Sequence, residues 1–168
     1  MKVSIHTLVV EQVSHTLGQL LVMLDKATAY AEAKKFDPAV LINARLAPDM
    51  LPFSKQIQIA SDNAKFAAAR LGGIEAPKFE DNEKTIDELK ARVRKTIDYL
   101  KSVPAGAFEG GEDRDIKITV PGRTIEMKGL TYLQGWALPN VFFHVTTAYA
   151  ILRHNGVDVG KRDFMGNL

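Results

Sequence analysis

The sequence predicts an all-α protein: a four-helix bundle with a small β-hairpin inserted between helices three and four, in one domain over residues 1–168. Three observations carry that expectation. Four long segments repeat apolar residues at three- and four-residue spacing, which gives a helix one face to bury. Between the third and fourth segments the period drops to two on either side of Pro121-Gly122, as in a hairpin. A chain of 168 residues, 46% hydrophobic and 25% charged, is long enough to enclose one sizeable core.

The first helix is expected from about Ser4 to Lys35, with Val9, Val13, Leu17, Leu20, Leu24, Ala27 and Ala31 as its buried stripe. Ser4 suits the N-cap because its hydroxyl can accept an orphan amide bond of the first turn. Phe36-Asp37-Pro38 ends it, and AVLINARL then forms a short helical turn over one end of the core. The second helix is expected from about Leu51 to Leu71. Its stripe is Met50, Phe53, Ile57, Ala60, Ala64, Ala67 and Leu71, and Ile59, Phe66 and Ala69 form a second apolar row. Pro52 fits the first turn, and Gly72-Gly73 supplies a left-handed stop. The alanines imply close packing on a neighbour.

The third helix is expected from about Glu83 to Val103, built on Ile86, Leu89, Val93, Ile97 and Leu100. Thr85 followed by Glu88 resembles a capping box, and Asp81 is an equivalent N-cap one turn earlier. The rest of this helix reads as a charge-rich solvated face. Ile116, Ile118 and Val120, then Ile125 and Met127, form the hairpin, which must lie against the bundle or another subunit because two strands alone are marginal. Gly106, Gly110 and Gly111 before it read as a flexible turn. The fourth helix runs from about Thr131 to His154, with a kink expected near Gly135 because Pro139 removes a helical bond. Asn155-Gly156 caps it, and Val157, Val159 and Phe164 can anchor the tail.

Composition excludes several function classes. The formal net charge is +2, with basic and acidic residues interspersed, so no nucleic-acid surface is expected. Cysteine is absent, which removes disulfides, thiolate ligands and a thiol nucleophile. No signal-peptide pattern and no apolar run near the ~20 residues of a membrane span is present. A cytoplasmic, non-membrane protein is the expectation.

The stretches LAPDMLPFSKQIQIASDNAKFAAARLGG and PNVFFHVTTAYAILRHNGVDVGKRDF resemble an uncharacterised bacterial family grouped with the DinB/YfiT-like metalloenzyme superfamily. The resemblance spans nearly the whole chain and implies the same four-helix bundle. In the better understood members, three histidines hold a divalent metal, one on the second helix and two at i, i+4 on the fourth, and some members use low-molecular-weight thiols in transferase or isomerase chemistry. Lining up the helix-four stretches on their LR-x-x-G endings puts His144 at the second histidine and Asn140 at the first. The matching part of helix two offers Gln56, Gln58 and Asp62 but no histidine. The resemblance therefore implies either a divalent metal, zinc or nickel, with His144 and Asn140 as ligands, or a metal-free descendant. An amide oxygen is a poor ligand for either ion.

Asn140 and His144 stand one turn apart on one helical face and can converge on one point. Asp62 falls between Ile59 and Phe66, where a lone carboxylate needs a partner; it completes a site with His144, or pairs with a group such as Arg153 or a helix end. Gln56, beside Phe53 and Ala60, can reach inward. The alternative for His144 is a core histidine satisfied by neighbours, and for Asn140 and Gln56 buried amides that fix helix register. Tyr149 and Arg153, also i, i+4, could hold an anionic substrate or form a structural pair. His6 starts the first helix, His15 lies on a polar side, and His154 complements a helix dipole. No Ser/His/Asp order supports nucleophilic catalysis.

Two functional expectations result. One is a polar pocket between helices two and four that binds or modifies a small molecule, in a degenerate, thiol-linked transferase-like protein. The other is a non-enzymatic homodimer, suggested by the extra apolar faces of helices two and four.

Overall fold

The computed structural model describes residues 3–166. Ser4 caps the chain's first helix as expected, its Oγ accepting from the Thr7 amide at 3.1 Å. The helix widens to a π-helical stretch over Thr7–Gln12 and continues as α1, Val13–Lys34. It ends on Lys35, which adopts the left-handed conformation (φ 56°) ahead of Phe36-Asp37-Pro38. Then come α2 (Ala39–Asn43), α3 (Phe53–Gly72) and α4 (Ile86–Ser102). Every residue of the expected α1 stripe is buried, as are Phe53, Ile57, Ala60, Ala64, Ala67 and Leu71 of α3. A fully buried Leu or Phe contributes about 1.5–3 kcal/mol, so this single contiguous core is the main source of stability.

The caps explain the boundaries. Pro52 is the N-cap of α3 rather than a first-turn residue, and Gly73 (φ 64°) ends that helix. Helix α4 starts at the Thr85/Glu88 capping box: Thr85 Oγ1 accepts from the Glu88 amide at 3.1 Å, and Glu88 returns the bond to the Thr85 amide at 3.0 Å. Asp81 is not the cap, because it is engaged with Lys55 and Arg92.

Two features of the sequence reading need correction. The charge-rich side of α4 is not uniformly solvated: Lys90 and Arg92 are both buried. Lys90 reaches Asp25 at 2.8 Å and Thr28 Oγ1 at 3.1 Å, so long basic side chains here bridge helices instead of facing water. On α3, Ala69 is buried as expected but Ile59 and Phe66 are only half-buried, while Gln58, Ser61 and Lys65 are buried beside them. The second buried row of this helix is mostly polar.

Strands β1 (Asp115–Val120) and β2 (Arg123–Lys128) pair antiparallel, with Ile118 opposite Ile125 and Gly122 (φ 82°) completing the turn. Ile116 and Ile118 join the main core, so the hairpin lies against the bundle. Gly111 before the hairpin and Gly129 after it do more than bend the chain. A Cβ on Gly129 would overlap the Gly111 carbonyl, and one on Gly111 would come within 2.8 Å of the Leu71 carbonyl. Three backbone segments therefore meet where the hairpin joins the end of α3, and only glycine fits the two crossing points.

After the hairpin the chain forms α5 (Gly129–Tyr132), a π-helical turn (Leu133–Ala137) and α6 (Leu138–His154). At Gly135, where a kink is expected, the structure has this π turn. It widens the ladder just before Pro139, which has no amide to donate. Val157 and Val159 are fully buried, and α7 (Lys161–Met165) folds back on α1, where Lys26 binds Asp163 at 2.9 Å.

We expect Gly129→Ala to lower unfolding stability by on the order of 3 kcal/mol, because the clash is with backbone that cannot rotate away. Urea titration monitored by circular dichroism measures this. An unchanged midpoint would show that the crossing is not tight.

Candidate functional site

Helix α3 packs on α6 more extensively than any other pair of elements among the described residues. Near the N-terminal end of α3, that contact brings Gln56 to His144, Oε1 to Nδ1, at 2.7 Å. Gln56 is 2% exposed, and its Nε2 donates to the Leu51 carbonyl at 2.9 Å. That bond fixes which end of the amide faces the ring. The Oε1 atom can only accept, so Nδ1 carries the proton and Nε2 of His144 keeps a lone pair. Among the described residues, no protein group hydrogen-bonds Nε2. Burial holds the imidazole pKa below its usual value, so the ring is neutral near neutral pH.

The other expected members of the site go elsewhere. Asn140 donates from Nδ2 to the Trp136 carbonyl at 2.7 Å, making a bond along its own helix. It stays on the face of His144 but does not bond it. Asp62 faces α4 and pairs with Lys65 and Arg92, each at 2.9 Å. The six-residue step from Gln56 turns it about 240° around the helix, away from α6. Arg153 lies about 13 Å along the axis from His144, is 59% exposed, and sits 3.7 Å from Asp158. Tyr149 meets Phe164 edge-on at 6.2 Å between ring centroids and so anchors the tail. The four side chains Gln56, Asp62, Asn140 and His144 thus do not line one pocket. Buried Gln56 and half-buried His144 pair at a helix contact, with the exposed Phe143 ring edge-on to His144 at 5.2 Å. The remaining histidines are His15, exposed and bonded to the Met165 carbonyl, His6, edge-on to Phe108, and the exposed His154.

A second polar cluster was missed by the sequence reading. Arg92, 4% exposed, joins Asp62 of α3 to Asp81 and Glu83 of the loop before α4, at 2.9, 3.0 and 2.9 Å. Phe79 of the same loop is ringed by three cations, Lys65 and Lys95 at 4.4 Å and Arg92 at 5.4 Å. The signal was the row Gln58, Asp62 and Lys65, at helical spacing, running through an alanine-rich helix.

The profile of a domain of unknown function, DUF1993, matches residues 5–165. The chain belongs to the DUF1993 family. It is also similar to the crystal structure of a DinB family member protein from Shewanella denitrificans, with 42% sequence identity over 97% of this chain and 92% of that one, and a TM-score of 0.89. The DinB-like bundle implied by the sequence is therefore established, with its hairpin between the third and fourth long helices. No curated protein shows significant similarity. Among the described residues, no helix is long and apolar enough to cross a membrane.

The fit of a divalent metal to this DUF1993 protein can be judged from its donors. At the superfamily position stand one imidazole, an amide bonded to its own helix, and a carboxamide already bound to the imidazole. Among the described residues, no group of three or more His, Cys, Asp or Glu side chains could hold an ion. A three-ligand zinc or nickel site does not fit these residues.

Two outcomes are expected. First, the folded protein resists protonation of His144 more than the unfolded chain does, so stability falls as pH drops through and below the ordinary imidazole range of about 6.5. His144→Asn should flatten that slope in urea titrations at stepped pH. Second, Arg92→Leu takes from Glu83 its cationic partner and cuts the link between α3 and the loop, while Asp62 and Asp81 keep Lys65 and Lys55; it should cost about 1–3 kcal/mol, measured by the same titration at neutral pH.

Proposed function

We propose that this DinB-like protein binds a small molecule without a resident metal, using the Nε2 lone pair of His144 as its principal acceptor. The observation that carries this reading is the Leu51–Gln56–His144 chain, which orients a neutral imidazole and leaves its other nitrogen unbonded. Such a group can accept a hydrogen bond or take a proton from a bound O–H, N–H or S–H. Thiol-linked transfer of the kind found in metal-bearing relatives would need an electrophile-activating group that these donors do not supply, so binding, or modification limited to proton transfer, is the function we assign. Asn140, one turn away on the same face, is the natural second contact. Gln56 orients the ring, whereas Asp62, Tyr149 and Arg153 take no part in this reading.

The test combines metal and ligand measurements on untagged protein. After incubation with zinc, nickel, manganese and iron, elemental analysis should find no stoichiometric metal in either the parent protein or His144→Ala. Stoichiometric metal in the parent, lost in His144→Ala, would overturn the metal-free assignment. In a ligand-observed NMR fragment screen, His144→Ala should lose its hits while Arg153→Ala retains them. In addition, Gln56→Glu places a carboxylate on Nδ1 and should raise the His144 pKa in an NMR titration; an unmoved titration would refute the orienting role of Gln56.

A second reading is a homodimer with a binding rather than catalytic role. It is favoured by Phe143, 57% exposed, and Leu51, 47% exposed, which flank the same pair. Light scattering at micromolar concentration should then give a dimer that Phe143→Glu dissociates. A strictly monomeric parent protein would rule this out.

A further inference from the structure

The last turn of α3 carries Arg70, a half-buried arginine that meets no carboxylate among the described residues. Its guanidinium carbon lies 4.8 Å from the centre of the Phe66 ring and 5.5 Å from that of Tyr132. Its Nη1 donates to the Tyr132 hydroxyl at 3.1 Å. Tyr132 is fully buried, and burial pushes its hydroxyl above the usual phenol range. That hydroxyl therefore stays neutral and leaves the arginine charge uncompensated. Arg92, by contrast, meets three carboxylates.

Capping the helix does not account for this side chain. The carbonyls of Ala69, Arg70 and Leu71 already accept from the Ile74 amide at 2.9 Å, the Gly73 amide at 3.4 Å and Arg114 Nη1 at 2.6 Å. Complementing the helix dipole requires charge alone, not a guanidinium held in one orientation. In the planar fork Nη1 lies on the Cδ side, so its bond to Tyr132 leaves the opposite edge intact. There Nε–H and Nη2–H point in parallel, with no partner among the described residues and not sealed from solvent. Arg70 is thus fixed at one nitrogen and by two rings, and open at the edge that can bind two oxygens at once.

Charge and apolar surface narrow the class of ligand. Arg70 and Arg114 place two positive charges at the end of α3, which outweigh the partial negative charge of the helix terminus. That partial charge penalises a dianion more than a monoanion. Phe66 is half-buried, so part of the ring packed on the guanidinium remains available to an apolar group. We propose that Arg70 binds the carboxylate of a small organic acid through its Nε–H and Nη2–H edge, with Phe66 and Tyr132 holding the guanidinium in place. Because the fork is already oriented, less side-chain freedom is lost for each bond it makes. The site is separate from His144, since Arg70 stands about 21 Å further along α3 than Gln56.

The experiment titrates the full nitrogen-15-labelled chain with benzoate, at an ionic strength kept constant with chloride. The Arg70 Nε–H resonance, identified by its loss in Arg70→Lys, should shift saturably with benzoate and stay in place with chloride alone. Arg70→Lys keeps the charge but not the fork. Followed at the backbone amides of Phe66 and Tyr132, it should bind benzoate about tenfold more weakly, as expected for one lost charge-assisted hydrogen bond. His144→Ala should leave the titration unchanged, so this site and the one on α6 stand or fall separately. If Arg70→Lys does not fold, the resonance is assigned through the Arg70 side-chain carbons, and its saturation against chloride decides. A shift that does not saturate, equal affinity in a folded Arg70→Lys, or tighter binding of inorganic phosphate than of benzoate would each overturn the proposal.

Discussion

The close contact of α3 with α6 is the constraint on which the rest of this structure depends. Small side chains make it possible: Ala60, Ala64, Ala67 and Ala68 are all buried, and they let the α3 backbone approach its neighbours. At that distance Gln56 can meet His144 directly. The same helix turns its other side to α4, where Gln58, Asp62 and Lys65 replace alanine. One helix thus presents a packed face, a face that orients an imidazole, and a face clasped by buried ions.

Those faces act through different physics. The apolar core is non-directional and forgiving of modest shape changes. The two polar contacts are directional and bind specific partners. Gln56 serves His144 only because Leu51 holds the far end of its amide, and Arg92 serves the loop only because acceptors approach it from both α3 and the loop itself. Both contribute less net stability than their short distances suggest, since polar groups lose hydration on burial. Their clearer effect is to select one arrangement of the loop and one orientation of the ring.

Much of the fold was legible along the chain. The stripes of α1, α3 and α4, the Thr85/Glu88 box, the Gly73 stop and the Pro121-Gly122 turn all depend on neighbours within a few residues. Pro139 marked the place where the fourth helix departs from regular α geometry, although as a π turn rather than as the kink expected. The site was legible only in part. Gln56 and His144 were singled out by helical position, and they do meet. Asp62 was expected to find a partner, in a site with His144 or in a structural pair, and its partners are Lys65 and Arg92, since a carboxylate on an apolar row announces a need for a partner without naming one. Arg92 looked like one charge among many on a solvated helix, and its burial comes from a loop whose course no local pattern specifies.

Sequence by itself determined the class of fold, the number of long helices, the place of the hairpin and the buried stripes, since periodicity and capping are local properties of the chain. Tertiary structure decided which polar residue meets which. It paired Gln56 with His144, sent Asp62 to Arg92, and made Gly111 and Gly129 points of backbone crossing. The reason is that a hydrogen bond or ion pair between residues far apart in sequence is fixed by the rotation and approach of whole helices. Those depend on the complete set of side chains packed between them.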